Sequence, residues 1–181
     1  MRVTVIRHGK VNHIWKKSCA SAEFDEECRL YDEAPIESDQ LTPDTSNHES
    51  AIIYISTLPR TRQTAEQLFG KRDFHATDLI NEVPMRSAFD SPKRFPLWFW
   101  NASARLQWFC NSRRQSETRR DTRVRAEDFV RQLIAADKDC ILVTHGFFMH
   151  TLIAVMKQHG FTADNTHLNY KNGEAIKLTR T

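Results

Sequence analysis

The sequence predicts an α/β fold, a three-layer α/β/α sandwich with a mostly parallel central sheet. Three observations carry that expectation. Short β-branched runs recur along the chain, and the segments between them have helical spacing of apolar residues. Three of the runs also end in polar residues of similar chemistry, and sheets of this class gather ligands beyond the carboxyl ends of their strands. The length of 181 residues suits one domain, 1–181, with a well-covered core.

Taken in order, residues 2–6 (Arg-Val-Thr-Val-Ile) read as the first strand. Residues 16–49 are long, polar and without a clear period, and are expected to form an irregular surface excursion. Strands are then expected at 51–56 and 74–80, with a helix at 61–69 between them. Residues 83–123 hold Trp98, Phe99, Trp100, Trp108 and Phe109 followed by a cluster of arginines. They are expected to form a lid or insert beside the site, the aromatic groups packing and the arginines at 113–125 forming a solvated helix face.

In 126–134 the residues Ala126, Phe129, Val130, Leu133 and Ile134 recur at three- and four-residue spacing, marking one buried helix face. Residues 140–144 form another strand. Residues 147–157 are apolar almost all round, as expected of a helix packed deep against a sheet, and 175–178 read as the last strand.

Composition narrows the function. A content of 40% hydrophobic and 27% charged residues is that of an ordinary globular protein, and a net charge of +3 suits an anionic ligand without calling for nucleic acid. Cys19, Cys28, Cys110 and Cys140 include no CxxC pair and are expected to be reduced and mostly packing, which favours the cytoplasm. The first strand follows Met1 directly, so no signal peptide is expected. The stretch 146–156 is too short to cross a bilayer, so no membrane partner is expected.

The strand ends carry the chemistry. The first runs into Arg7-His8-Gly9, the second into Ser56-Thr57-Leu58-Pro59-Arg60, and the strand at 140–144 into His145-Gly146. A parallel sheet brings these ends to one rim, so that two histidines and two arginines surround one pocket. A phosphate monoester carries about two negative charges near neutral pH. Arginine forks can hold two of its oxygens, and a neutral imidazole can attack its phosphorus. Gly9 is expected to permit close approach of the ligand and a special backbone angle.

The run Val3-Thr4-Val5-Ile6-Arg7-His8-Gly9 resembles the signature of the histidine phosphatase superfamily, the phosphoglycerate mutase-like branch 1. Leu58-Pro59-Arg60-Thr61-Arg62-Gln63-Thr64-Ala65 is similar to that family's second-arginine motif, and Val143-Thr144-His145-Gly146 to its second-histidine motif. The resemblance spans residues 2 to 160. It implies that His8 is phosphorylated and that Arg7, Arg60 and His145 complete the phosphate pocket. It further implies a glutamate soon after the third strand as proton donor, a place that Glu82 fills. An alkoxide leaves poorly until protonated, so this acid must hold a proton near neutral pH.

Each residue also has a plainer reading. His8 alone could be a structural hydrogen-bonder, Arg60 a helix salt bridge and Glu82 an exposed strand-end carboxylate. Lys10 stands where many relatives carry an acidic residue, which opens the question of substrate. His13, His48, His75, His150, His159 and His167 read as surface or packing residues, and Glu117 has no assigned role.

The leading expectation is a metal-independent phosphomonoester hydrolase, a histidine acid-type phosphatase, acting through a phosphohistidine on a small phosphorylated substrate without a cofactor. Alternatives are a mutase on a small phosphorylated metabolite, a phosphohistidine protein phosphatase with a phosphoprotein partner, and a non-catalytic phosphate-binding module. Competing chemistries lack their residues. None of the cysteines is followed six positions later by arginine, no Gly-rich P-loop is present, and no HExxH or clustered-carboxylate metal motif occurs.

Overall fold

The computed structural model describes residues 1–37, 41, 51–164 and 170–181. Their elements are β1 (Arg2–Arg7), β2 (Ser18–Cys19), α1 (Ser21–Glu33), β3 (Ile52–Ser56), α2 (Pro59–Phe69), β4 (His75–Thr77), β5 (Phe95–Pro96), α3 (Leu97–Phe109), α4 (Arg119–Ala136), β6 (Cys140–Thr144), α5 (Gly146–Gln158), β7 (Phe161–Ala163) and β8 (Ala175–Arg180). Six strands form the central sheet in the order β4-β3-β6-β1-β8-β7, and β2 pairs with β5 apart from it. The first four are mutually parallel, β8 pairs antiparallel with β1, and β7 pairs antiparallel with β8 at the edge. This is the mostly parallel α/β arrangement expected from the strand–helix alternation.

Side-chain alternation along the strands splits the core between two faces. Val3, Val5, Leu142, Ile176 and Leu178 point one way and pack with α4 and α5 through Phe129, Leu133, Phe148 and Leu152. Ile6, Ile53, Ile55, Ile141 and Val143 point the other way and pack with Ala65 and Leu68 of α2. All five residues of β6 are buried, as befits a central strand covered on both faces.

Register then positions the site. In the parallel pairing of β1 with β6, Arg7 lies opposite Thr144, so the next residues, His8 and His145, leave the sheet side by side. The pairing of β3 with β6 sets Ile55 opposite Val143, which brings Ser56 to the same rim. A slip of one residue would turn each of these side chains to the other face.

Several expectations need correction. The segment 16–49 is not irregular throughout, because α1 occupies Ser21–Glu33. Its apolar stripe is disguised by two buried polar residues, Ser21 and Glu27. Burial of Glu27 is supported by His13 Nε2 at 3.1 Å and Lys16 Nζ at 3.2 Å. The strand expected at 74–80 is only His75–Thr77, and Asp78–Ile80 form a 3₁₀ turn begun by the Thr77 side chain accepting from Leu79 N–H. The short β7 was not foreseen. His48, His167 and residues 38–40 and 42–49 of the expected excursion lie outside the described residues.

The aromatic cluster of 83–123 divides. Trp100 is fully buried with Phe24 and Cys19 and donates Nε1–H to Cys19 O at 2.9 Å, whereas Trp98 and Phe109 are exposed. The arginines at 113–125 are not all solvated. Arg125 is largely buried, pairs with Glu117 at 3.0 Å and donates to the carbonyls of Leu79 and Asn81. It thereby braces the loop that carries Glu82, and Glu117 acquires a structural role as its partner. Cys140 and Cys19 are buried and Cys110 is exposed; all four cysteines are free thiols. Among the described residues, no helix is long and apolar enough to cross a membrane.

Candidate active site

The backbone of the first strand end is tied on several sides. His8 N–H donates to Thr144 O at 2.9 Å, and Gly9 N–H to Thr64 Oγ1 on α2 at 2.9 Å. Asn172 Nδ2 donates to His8 O at 2.9 Å, while Gly173 N–H donates to Arg7 O. Gly9 does not adopt the special backbone angle expected of it, since its φ is not among the positive values. Its missing side chain instead makes room for Ile36, whose Cδ1 would lie 3.2 Å from an added Cβ.

His8 and His145 are buried with ring centroids 5.0 Å apart. Their hydrogen bonds determine their tautomers, because a carbonyl can only accept and a guanidinium can only donate. His8 Nδ1 lies 2.6 Å from Gly9 O and so carries the proton, leaving the Nε2 lone pair available. His145 Nδ1 accepts from Arg60 Nε at 3.2 Å, so its proton sits on Nε2, which donates to Ser56 Oγ at 2.7 Å. The two imidazoles thus carry opposite tautomers.

Both are also held neutral. Burial and the positive charge of Arg60 pull the His8 pKa down to about 3, with Arg7 adding to the effect and Gly9 O opposing it. The same two leading causes, burial and Arg60, set His145 well below the ordinary histidine value.

Arg7 and Arg60 converge on these rings by different routes. Arg7 donates Nη1–H to Tyr170 O at 2.5 Å, and its Nε is buried with no hydrogen-bond partner among the described residues. Its side chain lies against Gly146, where an added Cβ would come within 2.7 Å of Nε. Arg60 is completely buried at the start of α2. Its Nη1 donates to Tyr31 O, Asp32 O and Asp32 Oδ1, and its Nη2 to the same carboxylate oxygen. Arg60 thus makes a salt bridge to Asp32 on α1, not the bond within its own helix that the plainer reading describes.

Glu82 sits where α5 begins. Its Oε1 accepts from Val83 N–H and Phe148 N–H, each at 2.9 Å, and its Oε2 from Phe147 N–H at 3.3 Å. The open first turn of that helix supplies two of these three amides. Glu82 also lines a cavity of about 400 Å³ with Asp32, Tyr31, Trp15, Leu97 and Arg105. Lys10 points away into an ion pair with Glu37 at 2.7 Å.

The sequence-predicted residues Arg7, His8, Arg60 and His145 are therefore brought together, with Glu82 on the neighbouring wall. Sequence reading missed Asp32, Ser56, Tyr170 and Asn172. Ser56 closes its strand two residues before Leu58-Pro59-Arg60, which was its available signal. Asp32 lay in the segment taken as irregular.

The profile of the histidine phosphatase superfamily (branch 1) matches residues 3–179. No curated protein matches the sequence significantly. Among solved structures, the fold is similar to a phosphoserine phosphatase variant from Entamoeba histolytica in complex with phosphoserine, with a TM-score of 0.59 and 15% identity, covering 97% of this chain and 89% of that one. It is also similar to a mycobacterial glucosyl-3-phosphoglycerate phosphatase, with a TM-score of 0.59 and 16% identity, covering 97% and 88%. At these identities the likeness is one of fold.

Proposed function

We propose, for a chain that belongs to the histidine phosphatase superfamily (branch 1), that it hydrolyses small phosphomonoesters through a phosphohistidine at His8. The observation that carries this reading is the state of His8: a neutral imidazole whose Nδ1–H is engaged by Gly9 O and whose Nε2 keeps its lone pair. The buried, unpartnered Arg7 Nε supports it, since a phosphate oxygen would satisfy that donor.

In the proposed reaction, His8 Nε2 attacks phosphorus in line and the bond from phosphorus to the ester oxygen breaks. The departing oxygen takes a proton from Glu82, whose position at the start of α5 puts it on the wall of the adjoining cavity. Water then attacks the phosphohistidine and gives its proton to Glu82. The N–P bond breaks and inorganic phosphate leaves. Arg7, Arg60 and His145 hold the phosphoryl oxygens, with phosphate taking the places that Asp32 and Ser56 fill around Arg60 and His145.

Rapid-quench reaction with a 32P-labelled phosphoester tests the proposal. Wild-type protein is expected to trap acid-labile label, and His8→Ala to trap none and to lose turnover, with EDTA leaving wild-type activity intact. Wild-type turnover by His8→Ala would overturn the reading. Transfer of label to an added acceptor alcohol, with none released to water, would indicate a mutase.

A further inference from the structure

The segment that opens with Tyr170 is strapped across the end of β1. Tyr170 O accepts from Arg7 Nη1 at 2.5 Å, Asn172 Nδ2 donates to the carbonyls of His8 and Gly9, and Gly173 N–H donates to Arg7 O. Tyr170 has a φ of +49°, a left-handed conformation uncommon in residues other than glycine. Such a residue keeps its conformation only where the surroundings over-determine it. One restraint on Tyr170 is the bond from its carbonyl to Arg7. The other is its side chain, which packs partly buried against the core shared by α4 and α5, its ring centroid 4.2 Å from that of His150.

His150 lies on α5 one turn beyond Gly146, the residue against which the Arg7 side chain rests. Residues four apart share a helix face, so His150 stands on the face that Arg7 approaches. Its imidazole meets a second ring, that of Phe147, at 6.4 Å. Partial burial lowers the His150 pKa, with Glu82 opposing the shift and Arg7 adding to it. The ring is therefore mostly uncharged at neutral pH and offers Tyr170 a surface to pack on. Arg7 uses the result. Its Nη1 is fixed by Tyr170 O, while its buried Nε has no partner among the described residues and is left for a phosphate oxygen.

We infer that His150 is a positioning residue for Arg7 and acts through Tyr170. Its ring fixes the Tyr170 ring, the fixed ring holds the left-handed backbone, and that backbone aims the carbonyl at Arg7 Nη1. The guanidinium is then anchored on one side and presents its Nε to the anion on the other. Without the His150 ring, Tyr170 relaxes toward an ordinary φ, its carbonyl leaves Arg7, and the guanidinium loses its aim. The inference rests on the proposed reading, in which Arg7 holds the phosphoryl group.

The test measures kcat and KM for p-nitrophenyl phosphate and, by calorimetry, the Kd of inorganic phosphate. It compares wild type with His150→Ala, His150→Phe, Tyr170→Gly and the double variant Tyr170→Gly/His150→Ala. His150→Ala is expected to raise KM and the phosphate Kd by about five- to tenfold with kcat changed by less than about twofold, short of losing a hydrogen bond to a charged group outright. His150→Phe, which keeps a ring and removes the imidazole nitrogens, is expected to restore both constants. Glycine accepts a positive φ without strain, so Tyr170→Gly no longer needs the ring contact, and His150→Ala is expected to have no further effect in that background. Unchanged KM and phosphate Kd in His150→Ala, no rescue by His150→Phe, or an undiminished loss when His150→Ala is added to Tyr170→Gly would overturn the inference. Phosphate binding separates it from the reading on which it rests. A loss of affinity in His150→Ala that His150→Phe restores sustains the positioning role even if no ester is hydrolysed, and affinity independent of His150 removes that role even if hydrolysis through His8 holds.

Discussion

Asp32 Oδ1 lies 3.1 Å from both Nη1 and Nη2 of Arg60, so one carboxylate oxygen clasps the fork proposed to hold phosphate. Partial burial raises the Asp32 pKa and Arg60 opposes the rise, although the carboxylate itself stays partly open to solvent. A phosphate reaching Arg60 has to compete with this carboxylate. Asp32→Asn keeps an acceptor for the guanidinium but removes the competing charge. The inhibition constant of inorganic phosphate is therefore expected to fall by about tenfold, the scale of one charge-assisted hydrogen bond. A rise in that constant would instead mean that Asp32 positions Arg60 for phosphate.

The opposite tautomers of His8 and His145 give a second prediction. Nitrogen NMR of the imidazoles at pH 5 is expected to show both rings uncharged, with the proton on Nδ1 in His8 and on Nε2 in His145. Because their folded pKa values lie below the unfolded value near 6.5, the unfolded chain binds more protons in acid. The stability associated with the neutral rings is complete above about pH 6.5 and is lost as pH falls toward about 3, the pKa of His8. His8→Asn is expected to move the acid-unfolding midpoint to lower pH. An unchanged midpoint would show that other groups control acid unfolding.

Ser56 acts through His145, holding its ring and tautomer until phosphate takes the place of the hydroxyl. In Ser56→Ala the Nε2–H of a fully buried ring loses its acceptor, at a cost of about 1–3 kcal/mol in stability. A reduced kcat with a changed His145 nitrogen shift is expected, and Ser56→Thr, which retains the hydroxyl, is expected to restore both. A lower melting temperature with normal kcat and an unaltered nitrogen shift would limit Ser56 to packing.

Gly146→Ala tests the close approach of Arg7. The added methyl would contact the flexible end of the Arg7 side chain, not the backbone, so the fold is expected to survive with Tm changed by only a few degrees. Displacement of the guanidinium is expected to raise KM by about tenfold or more. Unchanged KM would show that Arg7 has room to adjust.

The residues at the strand ends were legible because motif and strand coincide: Arg7-His8 and His145 follow β-branched runs, and parallel register does the rest. α1 was hidden because its buried face includes Ser21 and Glu27, residues whose burial depends on partners elsewhere in the chain. Asp32 was hidden with it. Asn172 was invisible for another reason. It serves the site with one amide group, donated to main-chain carbonyls at His8 and Gly9 more than 160 positions away. The solvated face expected at 113–125 failed at Arg125, where the carbonyls of Leu79 and Asn81 offered a buried anchor. Periodicity reports apolar burial well and polar pairing poorly.

The pairing of β1 with β6 and β8 has a consequence for how the protein comes into being. A ribosome makes β1 more than a hundred residues before either of the strand's hydrogen-bonding neighbours. Tyr170 and Asn172, which hold Arg7 and His8 in place, are synthesised later still than β6. The Arg7-His8 pair is therefore made long before its surroundings, and the site is complete only once the segment 170–180 has emerged and closed over the first strand.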